Sequence, residues 1–254
     1  MQLSVPGVEQ AVSAEEWQIR VDLAALYRLV ARFGWDDLVF THITARVPGD
    51  EHHFLINPYG LLYEEMCASN MVKIDLQGDK VIDSPFEINP AGFVVHSAVH
   101  EVRQDAQCVV HWHSRAGVAV SAQADGLLPI SQQASIALAS IAYHDYEGIA
   151  VDEEEKLTLQ RDLGDKAHLI LRNHGLLVVA GSVADAFLLM YILESACQIQ
   201  VAAMGGNSKL IHFDQSIIDD TARTTAAATQ GMLGGIAWPA LLRRLDREDA
   251  SFRV

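Results

Sequence analysis

Two apolar segments that run into histidines constrain this chain more than any other feature. Cys108-Val109-Val110 leads into His111-Trp112-His113. Asn173-His174-Gly175 lies between His168-Leu169-Ile170-Leu171 and Leu176-Leu177-Val178-Val179. Short apolar runs of this length, bounded by turn residues, read as strands. Alternate side chains on a strand point to one face, so His111 and His113 face the same side. A plain hairpin would place Asn-Gly or Asp-Gly between two such strands, so the imidazole of His174 needs another reason to be there. A histidine can also be a satisfied core residue. Three of them delivered from two strand ends can meet at one point, however. Three neutral imidazoles with open positions match a catalytic divalent-metal site better than a closed structural one.

The rest of the chain supplies both helices and strands. Ser13-Ala14-Glu15-Glu16 is a capping box ahead of Ile19, Leu23, Leu26, Val30 and Phe33 at helical spacing, with Gly34 as the stop. Ile43 to Val47 alternates, and Pro48-Gly49-Asp50 turns. Phe54-Leu55-Ile56 is a short strand closed by Asn57-Pro58-Tyr59-Gly60. Val72 to Asp75 and Lys80 to Ile82 flank Gln77-Gly78-Asp79 as a hairpin. Gly92 to Arg103 and Ser114 to Ala122 are helical by pattern. Asp152 to Leu163 reads as an exposed charged helix, and Ser182-Val183-Ala184-Asp185 caps a long helix reaching about Met204. Gly205-Gly206-Asn207 reads as a linker, which divides a domain over 1–206 from a helical arm over 207–254. There is no G-x-G-x-x-G and no P-loop. Helices before, within and after a largely antiparallel sheet make the fold α/β.

Composition bears on partners. The 254 residues carry a formal net charge of −15, which argues against nucleic acid or an anionic membrane. It leaves a small-molecule substrate open, because a metal dominates its local field. No apolar run approaches the roughly 20 residues of a membrane span, and Met1 to Glu16 shows no signal-peptide pattern. Cys67, Cys108 and Cys197, scattered in apolar context, fit reduced core thiols of a cytoplasmic protein.

Other histidines compete for attention. His96 and His100 stand one helical turn apart and could chelate, but no further ligand has comparable context. The plainer reading makes them a helix face under the site, with one of them supporting the ligands. His52 and His53 lie in a charged turn. His144, beside Asp145, is a candidate oriented acid or base, or simply a loop hydrogen bond.

Together these motifs resemble the class II aldolase/adducin superfamily. The residues that carry the likeness are Thr41-His42-Ile43-Thr44, Asn57 to Tyr63, Asn89-Pro90-Ala91-Gly92-Phe93-Val94-Val95-His96, Cys108 to His113, Ala142 to Gly148, Val151 to Lys156 and Leu171 to Leu176. The likeness runs from about Val21 to Gly206 and is nearest to the adducin head domain and its bacterial relatives. It implies a three-layer α/β/α sandwich around a mostly antiparallel central sheet, and a homotetramer with active sites at subunit interfaces. It also implies zinc held by His111, His113 and His174, with manganese or iron as alternatives.

The departures from the family pattern matter as much. The position of the aldolases' catalytic glutamate is Gly92, and their proton-donating tyrosine maps roughly onto Gln133. Their phosphate pocket maps onto Thr41-His42, Tyr59-Gly60 and Pro90-Ala91, where small donors have become bulky or apolar groups. A phosphorylated sugar is therefore not expected. His42, Tyr59, Gly60 and Gly92 become substrate-contact candidates, and His96, His144 and Gln133 catalytic ones. The expected function is a metal-dependent carbon–carbon lyase, either a decarboxylase or aldolase-like, acting on an unphosphorylated hydroxy-carbonyl or carboxylate substrate. A three-histidine iron oxygenase and a non-catalytic adducin-like interaction protein are the alternatives.

Overall fold

The fold is that of a computed structural model, described for residues 3–49, 52–148, 153–206 and 209–254. Asp50 of the expected turn, Asp152 at the start of the expected charged helix, Val151 before it, and Asn207 of the expected linker lie outside the described residues. In chain order the elements are α1 (Val8–Ala11), α2 (Ala14–Phe33), β1 (His42–Arg46), β2 (Phe54–Ile56), β3 (Val72–Ile74), α3 (Pro90–Val102), β4 (Cys108–Trp112), α4 (Arg115–Ser121), α5 (Gln132–Leu138), β5 (Ile141–His144), α6 (Glu153–Leu163), β6 (His168–Leu171), β7 (Gly175–Ala180), α7 (Val183–Met204), α8 (Gln215–Ala228) and α9 (Trp238–Glu248).

The strands form one sheet in the order β3-β2-β1-β4-β7-β6-β5. Every neighbouring pair is antiparallel except β5 and β6. The histidine-bearing strand β4 and its partner β7 therefore sit near the centre. Their side chains alternate between two apolar layers. Cys108, Val110, Trp112, Leu176 and Val178 face one layer with α2, α4, α5 and α7. Val109, Leu177 and Val179 face the other, packed on Val94, Val95, Ala98 and Val99 of α3 and on Leu159 and Leu163 of α6. Burial on both faces is why these strands read as unbroken apolar runs. His111 and His113 share the α3–α6 side with Val109.

Half of the expected capping box forms: the Ser13 hydroxyl accepts the Glu16 N–H, while the Glu16 carboxylate accepts from Arg20 and Lys73, and α2 stops at Gly34 in left-handed backbone at φ 69°. Three further expectations change. The hairpin after β3 shrinks to a single bridge between Ile74 and Lys80, so Lys80 to Ile82 is not a strand. Helix α6 is exposed on one side only, because Lys156, Leu159 and Leu163 are buried against α3. The third concerns membrane-spanning length. α7 is long and apolar enough by composition to cross a bilayer, against the expectation of no such stretch. Here it is a central helix, with Phe187, Met190, Leu193, Ala196 and Cys197 in the core and with Glu194 and Gln200 buried beside them. The C-terminal helices fold back on the same core: Trp238, Leu245 and Phe252 join the α2 layer, and Trp238 Nε1–H donates to Asp22 at 2.9 Å.

Candidate metal centre

Pairing of β4 with β7 fixes where the histidines go. His111 lies opposite Leu177 on one side and opposite His42 of β1 on the other. The β6–β7 turn is built around His174. Asn173 takes left-handed backbone at φ 58°, a conformation that asparagine tolerates better than most residues. Gly175 must be small: a Cβ there would stand 2.6 Å from the Trp112 carbonyl oxygen and 3.1 Å from His113 Cδ2. The close crossing of the turn over the end of β4 puts His174 against the other two rings, at centroid distances of 4.9 Å from His111 and 4.7 Å from His113.

One ligand atom from each of His111, His113 and His174 falls within 4.8 Å of the others. Hydrogen bonds settle which nitrogens are free. The Nδ1–H of His111 donates to the Leu176 carbonyl at 2.9 Å, and that of His113 donates to Asp37 Oδ2 at 3.1 Å. In the neutral rings that metal binding requires, both Nε2 atoms are then bare lone pairs, and they stand 2.9 Å apart. Two acceptors at that distance have no proton to share, and a cation placed among them removes the conflict. Outer partners of this kind orient imidazole ligands and raise their basicity. Burial, followed by the neighbouring imidazoles, holds His111 well below the usual histidine range. His174 is pushed down to about 4 by burial first and by His113 second. Both are thus neutral near pH 7, as metal binding requires. The donor set fits a divalent ion.

The trio forms part of the wall of a cavity of about 370 Å³, whose other walls include Phe40, His42, Tyr59, Asn89, Val95 and Tyr146. Among the described residues, no Asp, Glu, Lys or Arg lines it.

Comparison with known proteins agrees with this geometry. The family model of the class II aldolase and adducin N-terminal domain matches residues 21–201. The chain belongs to the class II aldolase/adducin family. A Pseudomonas aeruginosa protein with a provisional aldolase class 2 name is 56% identical over 254 residues, covering 98% of each chain. The crystal structure of an aldolase II superfamily protein from Pseudomonas syringae superposes with a TM-score of 0.92 at 47% identity, covering 97% of this chain and 99% of that one. Mouse alpha-adducin is 47% identical over 243 residues, covering 90% of this chain, but these make up only 33% of adducin's own length.

The departures from the aldolase pattern have a structural reason in this family member. A Cβ on Gly92 would lie 2.5 Å from His42 Cδ2, 2.8 Å from Cγ and 3.0 Å from Nε2. The imidazole of His42 fills the space into which a residue-92 side chain would grow. Position 92 is therefore glycine because position 42 is histidine, and a glutamate there is sterically excluded. Tyr59 joins the cavity wall, while Gly60, at φ 92°, is the turn residue behind it and not part of the wall.

The remaining candidates stand back from the cavity. His96 and His100 share the Thr44 hydroxyl, at 2.6 Å from His96 Nδ1 and 2.8 Å from His100 Nε2. His96 lies edge-on to His42 at 4.7 Å, behind it as seen from the cavity. His144 is buried, with Nδ1 2.9 Å from Asp162 Oδ2 and Nε2 3.9 Å from Glu155, and it does not line the cavity. Gln133, on α5, does not line it within this chain either.

Sequence reading missed Asp37. It is delivered by Trp35, whose ring packs 5.3 Å from that of Trp112 and so brings the following loop to His113. It also missed Glu194. The Ser114 hydroxyl donates to this buried carboxylate and accepts the Gly117 N–H, which fixes the turn immediately after His113. Burial raises the pKa of Glu194.

Proposed function

We propose that this protein is a divalent-metal-dependent carbon–carbon lyase acting on a small, unphosphorylated hydroxy-carbonyl or carboxylate substrate, with His111, His113 and His174 as ligands and zinc as the expected ion. The observation that carries the reading is the convergence of the three imidazoles on one cavity, with the outer nitrogens of His111 and His113 already engaged by Leu176 and Asp37. A divalent ion held there supplies Lewis-acid polarisation of a substrate oxygen. Its ligands are neutral, so they do not dilute its charge. The absence of Lys and Arg from the lining among the described residues argues against a phosphorylated substrate, whose dianion such side chains usually hold.

The chain's own residues then favour one branch of lyase chemistry. Retro-aldol cleavage needs a base for a hydroxyl proton, and among the described residues no carboxylate lines the cavity. Loss of a positioned base typically lowers rates by about 10²- to 10⁴-fold. Decarboxylation of an acid whose carboxylate lies one carbon away from a polarised carbonyl needs no such base, because the electrons of the broken bond enter that carbonyl, and afterwards it needs only a proton donor. The phenols of Tyr59 and Tyr146 and the imidazole of His42 are the protic groups in the wall. The exposed apolar surface of Phe40, Tyr59 and Tyr146 at the cavity supports cover by neighbouring copies, and the homotetramer is what the family likeness implies. The three unpaired, buried cysteines support a reducing, cytoplasmic setting.

The test is turnover of the zinc- and manganese-loaded protein on a panel of hydroxy-carbonyl acids and aromatic carboxylates, with carbon dioxide and aldehyde measured separately. Carbon dioxide release is expected. A bound ion without any turnover across the panel removes the lyase reading. Iron with oxygen uptake would move the assignment to an oxygenase, and no bound metal at all would move it to an adducin-like interaction role.

A further inference from the structure

We propose that the cavity is built for a ligand carrying its own small carboxylate, and that His42 is the side chain that recognises it. The inference rests on the metal-centre reading above and narrows its substrate class.

The first argument is charge. Among the described residues, the cavity wall contains no acidic and no basic side chain. Three neutral imidazoles, with only the Asp37 carboxylate behind His113 to offset it, leave a divalent ion undercompensated in a partly desolvated pocket where charge interactions are strong. In the aldolase pattern a carboxylate at position 92 would offset part of that charge. Here the position is Gly92 and His42 fills its space. The missing negative charge has to arrive with the ligand.

The second argument is the proton on His42. Its Nδ1 is buried without a hydrogen-bond partner. An N–H buried with no acceptor is costly, so the proton belongs on Nε2. Nε2 stands 3.0 Å from the point where a residue-92 Cβ would be. The site thus presents a hydrogen-bond donor close to where the aldolase pattern starts an acceptor side chain. A donor in that place calls for an acceptor on the ligand, and a carboxylate supplies both the acceptor and the charge. A phosphate dianion fits less well, because no Lys or Arg is there to share it. Phe40, Val95 and the faces of Tyr59 and Tyr146 suit a short apolar or aromatic substituent. The ligand class is therefore a small monocarboxylate with a second oxygen, hydroxy or oxo, for the ion and with such a tail.

Calorimetric titration of the zinc-loaded protein tests this without needing turnover. The probes are lactate, hydroxyacetone (a neutral compound of similar size) and inorganic phosphate. Lactate should bind at least about tenfold tighter than either of the others. Removing a hydrogen bond to a charged group weakens binding by about ten- to a hundredfold, so His42→Ala should lose that factor for lactate while zinc content holds. His42→Gln retains a donor and should restore most of the affinity, which separates recognition from damage to the fold. The double change His42→Ala with Gly92→Glu makes room for the carboxylate and should bind lactate more weakly than His42→Ala alone.

Equal binding of lactate and hydroxyacetone, phosphate binding as tight as lactate, or undiminished lactate affinity in His42→Ala each overturns the proposal. A protein that binds lactate through His42 but turns nothing over keeps this inference and loses the lyase. One that cleaves neutral hydroxyketones while showing no preference for lactate does the reverse.

Discussion

Two histidine clusters lie side by side in this molecule, and they do opposite things with the same side chain. His111, His113 and His174 converge on the cavity, and two of them spend their outer nitrogens on Leu176 and Asp37 so that the inner ones stay free. His96 and His100, on α3, turn nitrogens inward onto a single shared hydroxyl, that of Thr44, and His100 stacks on Phe54 at 4.2 Å. Burial depresses His111 and His174 in the first cluster and His96 and His100 in the second. Neither burial nor a low pKa therefore marks the metal centre. What marks it is free nitrogens aimed at one point, with partners on the far side of the rings.

That contrast can be broken experimentally. His113→Ala removes a ligand and should weaken zinc binding by more than about a hundredfold, beyond the 10–100-fold typical of an outer partner. Equilibrium dialysis with metal analysis measures it, and a variant that retains zinc would show that the trio is not the site. Asp37→Asn leaves the ligands in place but removes the carboxylate behind His113, so affinity should fall about 10- to 100-fold. Thr44→Val acts on the other cluster. It strands His96 Nδ1 and His100 Nε2, so stability should drop by about 1–3 kcal/mol in urea unfolding while zinc affinity stays within about twofold. A metal defect in Thr44→Val would merge the two clusters into one functional unit.

Acid provides the mildest probe, and it falls on His100 of the second cluster and on His168, a buried histidine of β6 outside both clusters. Burial pushes His100 down to about 3 and His168 down to about 4, from an ordinary value near 6.5. Below pH 6.5 the unfolded chain takes up protons at these positions that the folded protein does not. Stability contributed by the neutral rings is thus present above about pH 6.5. It falls as pH drops through 6.5 towards 4 and 3, and levels off below the folded values. Urea midpoints of the metal-free protein across that range should decline steadily, and a flat profile would refute the burial of these rings.

The sequence made the metal trio readable because two independent signals agreed: a period of two in His111-Trp112-His113 and an imidazole where a hairpin prefers glycine. The central strands were readable for a related reason, since burial on both faces writes an unbroken apolar run. Asp37 was not readable. Its approach to His113 depends on Trp35 packing on Trp112, a contact between residues far apart in the chain that carries no local pattern. The hairpin after β3 was over-read because Gln77-Gly78-Asp79 forms a good turn whether or not a strand follows. The apolarity of α7 was under-read because Glu194 and Gln200 interrupt it, although both are buried. The departures at positions 42 and 92 were visible singly, but their dependence on each other was not, because only the packing of β1 against α3 brings them together.

That dependence limits how such a site can change over time. With His42 in place, any side chain at position 92 meets the ring, and with a glutamate at 92 the ring has no room. Neither form reaches the other by one tolerated substitution. The passage runs through an intermediate small at both positions, with a hole beside the metal and neither the acid's nor the imidazole's chemistry. A chain that has settled on one side of that gap is held there by sterics as much as by selection for its reaction, so the two forms are expected to persist as separate lineages on one backbone.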